Sequence, residues 1–172
     1  MKKSRPSKLQ TYMRMAEIAA SRSHDAETQV GSVLVKKESG AVIATGCNGF
    51  IRKAPDDNLP TTRPEKYLYI VHSEMNLMAN CCHHGISMRN TFVVCTLSPC
   101  ASCMRNLWNA GVREVFCKEK YRDFEDILKM RDIKVTQRKT PEGYIHLKYE
   151  VIRAKSRKSV IRRKQPKHKK SR

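Results

Sequence analysis

Two short stretches constrain this chain more than any other part of it: His72-Ser73-Glu74 and Pro99-Cys100-Ala101-Ser102-Cys103. Each opens a segment with helical composition, 72–83 and 100–110, and Gly111 closes the second. Between them, residues 91–96 (Thr-Phe-Val-Val-Cys-Thr) read as a buried strand. A helix turns once in about 3.6 residues, so Cys100 and Cys103 leave a helix start in the same direction. The positive end of a helix also favours the thiolate form of Cys100. Two thiolates and one imidazole, from His72, Cys100 and Cys103, satisfy three corners of a zinc tetrahedron. The fourth corner stays open for water, as in a catalytic site, whereas a structural zinc would usually want a fourth cysteine or histidine. Taken alone, Cys-x-x-Cys also reads as a structural half-site or a redox pair. Glu74 need not bind the metal and can face the water, whose pKa zinc lowers towards neutrality.

The rest of the chain alternates between helical and extended patterns. Residues 8–22 place Leu9, Tyr12, Met13, Met15, Ala16 and Ala19 at helical spacing. Residues 29–36 alternate as a strand, Lys37–Gly40 supply a turn, and 41–47 return. Residues 48–71 hold three prolines and read as a long loop, which in a compact domain is usually functional or disordered. Further strands are expected at 113–117 and 133–136, with a helix over Phe124–Met130 between them. The turn Pro141-Glu142-Gly143 leads into an alternating segment, 144–152, that could add one further edge strand. Helices interleaved with strands predict an α/β layered domain on a mixed sheet.

The chain has 172 residues, which suits a single domain, and lacks the run of eighteen or more apolar residues that a membrane span needs. The start is basic without the apolar run of a signal peptide, so an intracellular, cytoplasmic protein is expected, with no membrane partner. Seven cysteines in a reducing compartment imply metal thiolates and free thiols rather than disulfides. The net charge of +19 is concentrated at the ends: residues 1–8 carry four Lys/Arg and 153–172 carry eleven, with no acid in either. The expected organisation is a basic N-terminal tail (1–8), a folded domain (9–152) and a basic disordered C-terminal tail (153–172). The C-terminal tail has no aromatic residue to stack bases. It reads as a weak, salt-sensitive nucleic-acid binder, a merely solvated tail or a nuclear localisation signal. Cys81-Cys82-His83-His84 invites a second metal, but neighbours on a helix diverge by about 100° and cannot all converge on one ion.

His-x-Glu followed by Pro-Cys-x-x-Cys is the signature of zinc nucleobase deaminases, in which water attacks C4 of cytosine or C6 of adenine. Around it the chain resembles the deoxycytidylate (dCMP) deaminases of the cytidine deaminase superfamily. The resemblance runs through Thr28-Gln29-Val30-Gly31, Thr45-Gly46-Cys47-Asn48-Gly49-Phe50, Asp56-Asp57, Lys66-Tyr67, Thr96–Cys100, Ala110–Val115 and Asp126-Ile127-Leu128. It implies a three-layer α-β-α cytidine deaminase-like fold with a five-stranded mixed sheet. It implies zinc on His72, Cys100 and Cys103, with Glu74 moving protons, and conversion of dCMP and water to dUMP and ammonia. It also implies that Asn48 and Ser23 meet the sugar-phosphate, with Arg22 and His24 beside Ser23. Ser98 and its neighbours would offer carbonyls to the exocyclic amine, and Tyr121 would stack on the base. Homo-oligomeric assembly, as a hexamer, and dCTP or dTTP effectors accompany the family. Ser73 stands where the family usually has alanine, and Cys47 where it usually has an aromatic residue.

Two other readings are compatible with the charge. One is a nucleic-acid cytosine deaminase that holds its strand with the basic tails. The other is a non-catalytic polyanion-binding module on a dead deaminase fold, against which an intact Glu74 argues.

Overall fold

A computed structural model describes residues 5–152. Most of both basic tails, 1–4 and 153–172, therefore lies outside the described residues, and with it the C-terminal nucleic-acid reading.

The first helix, α1 (Lys8–Ala20), begins at a capping box. The Ser7 hydroxyl accepts from the Gln10 amide, and the Gln10 side chain accepts from the Ser7 amide, satisfying two of the N–H groups a helix start leaves open. Its buried stripe is Tyr12, Met13, Ala16 and Ala20. The helix stops at Ala20, two residues short of the expected end.

β1 (Gly31–Lys36) pairs antiparallel with β2 (Val42–Cys47) on one side and with β3 (Thr91–Leu97) on the other. α2 (Ser73–His83) precedes β3, and α3 (Ala101–Asn109) follows it. β4 (Glu114–Glu119) runs parallel to β3. After α4 (Phe124–Leu128) come β5 (Ile133–Lys139) and β6 (Ile145–Val151). The strand order is β2-β1-β3-β4-β6-β5.

The sheet thus has six strands, not five, and 144–152 does not lie at its edge. β6 sits between β4 and β5, antiparallel to both. Its alternation explains this: Ile145, Leu147 and Tyr149 are all buried, whereas β5 buries only Ile133 and leaves Gln137–Lys139 in solvent. The strand with more apolar surface takes the interior place, and the polar strand takes the edge, where charged side chains discourage further pairing.

Apolar side chains fill both faces of the sheet, as a three-layer fold requires. α1 covers one face, with Tyr12, Met13 and Ala16 packed on Val33, Val35 and Val94. α2, α3 and α4 cover the other, where Leu77, Leu107 and Ile127 meet Leu34, Val93, Val115 and Leu147. Gly46 sets how closely α2 approaches: a Cβ there would lie 2.5 Å from the Ser73 carbonyl and 2.6 Å from the Leu77 nitrogen. No helix among the described residues is long and apolar enough to cross a membrane.

Candidate active site

β3 and β4 are the parallel pair, and their carboxyl ends open one rim of a cleft lined by His72, Glu74, Cys100 and Tyr121. Sites in open α/β sheets sit outside such strand ends. The Ser98 amide donates to the Glu119 carbonyl at 2.9 Å. The Ser98 hydroxyl accepts from the Tyr121 amide at 2.8 Å. Ser98 thereby ties the loop after β3 to the loop after β4 and brings Tyr121 into the wall.

His72 enters from the opposite side as the N-cap of α2. The residue before it is clamped by reciprocal bonds between Gly49 and Val71, 3.0 and 2.8 Å. Cys100 is the N-cap of α3, its sulfur accepting from the Cys103 amide at 3.5 Å. His72 Nδ1 lies 3.6 Å from Cys100 Sγ and 3.5 Å from Cys103 Sγ. The three donor atoms all fall within 4.8 Å of one another. Zinc bonds of about 2.3 Å to sulfur and about 2.0 Å to nitrogen place neighbouring tetrahedral donors roughly 3.5–3.8 Å apart. The triad therefore fits an ion of that kind. Hydrogen bonds from Cys103 and His72 pull the Cys100 thiol down to about 4, against the opposing effect of burial. Cys103, sharing its partner and more deeply buried, is pushed up. A cation entering the triad would displace that retained proton.

Glu74 is 3% exposed, in the first turn of α2 and lining the same cleft. Burial raises its pKa. The helix start, the His72 charge and a hydrogen bond from Ser73 oppose the rise without cancelling it. Ser73 donates its hydroxyl to Glu74 Oε2 at 3.0 Å, so the serine at this position acts directly on the carboxylate.

The residues expected to meet the sugar-phosphate are arranged otherwise than their order suggests. Asn48 lines the cleft, but its amide is already spent. Oδ1 accepts from Ser23 Oγ and the Val30 amide, each at 2.7 Å. Nδ2 donates to the Thr28 carbonyl at 2.8 Å and to Asp25 at 3.3 Å. That uses the full capacity of a carboxamide. Ser23 stands behind Asn48, outside the lining. His24 pairs with Asp56 at 3.0 Å and packs on Phe50, also away from the cleft.

The cationic groups that do line the cleft come from the long loop: Arg63 and Lys66, with Tyr67 beside them. Lys66 is 2% exposed and reaches Asp25 at 2.6 and 2.8 Å and Glu27 at 3.0 Å. Burial works against its charge, but the two carboxylates more than compensate, and its pKa is raised. This pair staples the loop 48–71 to the turn before β1. The Lys66-Tyr67 dipeptide stood out in the sequence, but its partner lies 41 residues away. No local pattern announces such a bond.

A buried carboxylate beside one imidazole and two thiols, at the mouth of an α/β sheet, defines the class of metal-dependent hydrolytic deaminases. Comparison with known proteins gives the family. The chain belongs to the cytidine and deoxycytidylate deaminases: the model of their zinc-binding region matches residues 6–119. A probable deoxycytidylate deaminase of Drosophila melanogaster is 32% identical over 124 residues, covering 65% of this chain and 60% of that protein. The deoxycytidylate deaminase of Mus musculus is 32% identical over 122 residues, covering 67% of each. Among solved structures, the dCMP deaminase of cyanophage S-TIM5 in complex with dCMP and dUMP superposes with a TM-score of 0.60. It shares 27% identity, over 74% of this chain and 93% of that one.

Proposed function

We propose that this protein deaminates deoxycytidylate, converting dCMP and water to dUMP and ammonia, with zinc on His72, Cys100 and Cys103. The observation that carries the reading is Glu74, a buried carboxylate lining the same cleft as His72 and Cys100 and feeling the charge of both. Zinc bound there supplies a Lewis acid that makes water a nucleophile near neutral pH. Glu74 takes one proton from the attacking water and delivers it to the ring N3, then takes the second from the new C4 hydroxyl and passes it to the amine, which leaves as ammonia when C4=O forms. Its raised pKa suits a group that must both accept and release protons. On this reading the Thr96–Ser98 backbone supplies the carbonyls that accept from the exocyclic amine, and Leu97 and Ser98 line the cleft. Tyr121, held by Ser98 and edge-on to His72 at 6.3 Å, offers its face to the base. Asn48 and Ser23 shape the wall behind the sugar.

The catalytic domain runs to 152 because β6 pairs with β4, and it begins at the Ser7 cap of α1, two residues before the expected start at 9. The reading includes an intracellular setting and homo-oligomeric assembly.

Ammonia release from dCMP, dCTP, cytidine and a cytosine-containing oligonucleotide tests the proposal. dCMP is expected to be turned over best. Turnover of the oligonucleotide alone would transfer the activity to nucleic acid.

A further inference from the structure

A row of small side chains crosses the sheet beneath the start of α2. Gly46 on β2 pairs with Ser32 on β1, Ser32 with Cys95 on β3, and Cys95 with Cys117 on β4. Residues paired in this way point to one face, so the row is the floor under the first turn of the helix. Ser32 is fully buried, and its hydroxyl donates to the Ser73 carbonyl at 3.1 Å. Ser73, 1% exposed, donates its own hydroxyl to Glu74 Oε2 at 3.0 Å. The two thiols of the row are turned elsewhere. Cys95 Sγ lies 3.7 Å from the Phe116 carbonyl, and Cys117 Sγ 3.8 Å from that of Ile145. Among the described residues, Ser73 is thus the one side chain that donates a hydrogen bond to Glu74. Packing does not ask for a hydroxyl there. Alanine would fill the place with a better helix propensity and no polar group to bury.

The two oxygens of a glutamate exchange by rotation about its last torsion, which is broad and roughly two-fold. A donor fixed on Oε2 stops that rotation. It also keeps Oε2 an acceptor, so a proton gained by Glu74 sits on Oε1. We infer that Ser73 is a positioning residue for the reaction, a role that rests on the deaminase reading: it fixes the Glu74 carboxylate so that Oε1 alone carries both protons. Oε1 takes the first from the attacking water to ring N3, and the second from the C4 hydroxyl to the leaving amine. The carboxylate then has no need to turn between the two transfers, and its working oxygen keeps one direction throughout.

The test measures dCMP turnover by the zinc-loaded full chain for wild type, Ser73→Ala, Glu74→Gln and the double variant. Ser73→Ala should lower kcat roughly threefold to thirtyfold, a fraction of what a hydrogen bond to a charged group is worth. KM for dCMP, zinc content and the urea midpoint should stay as in wild type. In the Glu74→Gln background the same substitution should cost nothing more, because no proton carrier remains to be held. An unchanged kcat in Ser73→Ala, a loss that falls on KM, or an equal loss in both backgrounds would overturn the role. Infrared spectroscopy gives a readout free of turnover. The Glu74 carboxyl band, recognised as the one missing in Glu74→Gln, should move in Ser73→Ala as its hydrogen bond is lost. If wild type releases no ammonia from dCMP, the deaminase reading fails, and the hold on the carboxylate stands only if that band moves. A band that keeps its place overturns the hold in either case.

Discussion

A carboxylate as enclosed as Glu74 is costly to keep ionised, and nothing in the packing of α2 requires it there. Leu77 and Cys81 supply the apolar contacts of that helix. The carboxylate is explained by what it faces. Glu74→Gln keeps the shape and the hydrogen bond to Ser73 while removing the proton carrier. It is expected to retain bound zinc, measured by elemental analysis, and to lose at least about a hundredfold in kcat. A variant with normal turnover would take the proton-moving role away from Glu74. The same residue scale shows why the triad was legible. His72, Cys100 and Cys103 each occupy a helix start, where direction is set by neighbours three or fewer positions away.

The long loop between β2 and α2 is the element whose organisation had to be seen. Two short turns at Asp56–Asn58 and Glu65–Leu68 give it shape, and the buried Lys66–Asp25 pair gives it a fixed place. Lys66→Met leaves Asp25 buried without its cation and should destabilise the protein by about 3–5 kcal/mol, read from urea unfolding. The pH dependence has a definite sign. The Asp25 carboxyl, despite a burial effect that raises it, is held below its ordinary 3.8 by Lys66 and the amides of Glu27 and Thr28. Its contribution is present above about pH 4 and lost as pH falls towards the native value. The gap between wild type and Lys66→Met should therefore narrow in acid, and a gap that widens there would contradict the assignment. Periodicity located the helices and strands to within a few residues, because burial of one face acts through near neighbours. It could not place Lys66 against Asp25, nor Arg63 in the cleft, because those contacts depend on where two distant segments cross.

For the whole molecule, the informative comparison is between the family match, which ends at residue 119, and the sheet, which does not. The hairpin β5–β6 closes the open side of β4 and buries Leu147 completely. Ending the chain at residue 132 removes that hairpin, and should give insoluble or unfolded protein by circular dichroism. Removing only 153–172 should leave dCMP turnover intact, and collapse of turnover in that shorter deletion would bring the tail into the working domain. Strand alternation at 144–152 announced a buried face but not a neighbour, so the interior position of β6 was beyond what a local pattern can specify.

The position of β6 has a consequence for biogenesis. On the ribosome, β4 emerges well before its second neighbour, and until Ile145–Lys148 clear the exit tunnel its outer backbone groups face water in place of a strand. Premature termination in that interval would release a nascent chain with a sticky, half-finished ribbon, a natural substrate for chaperones and proteases.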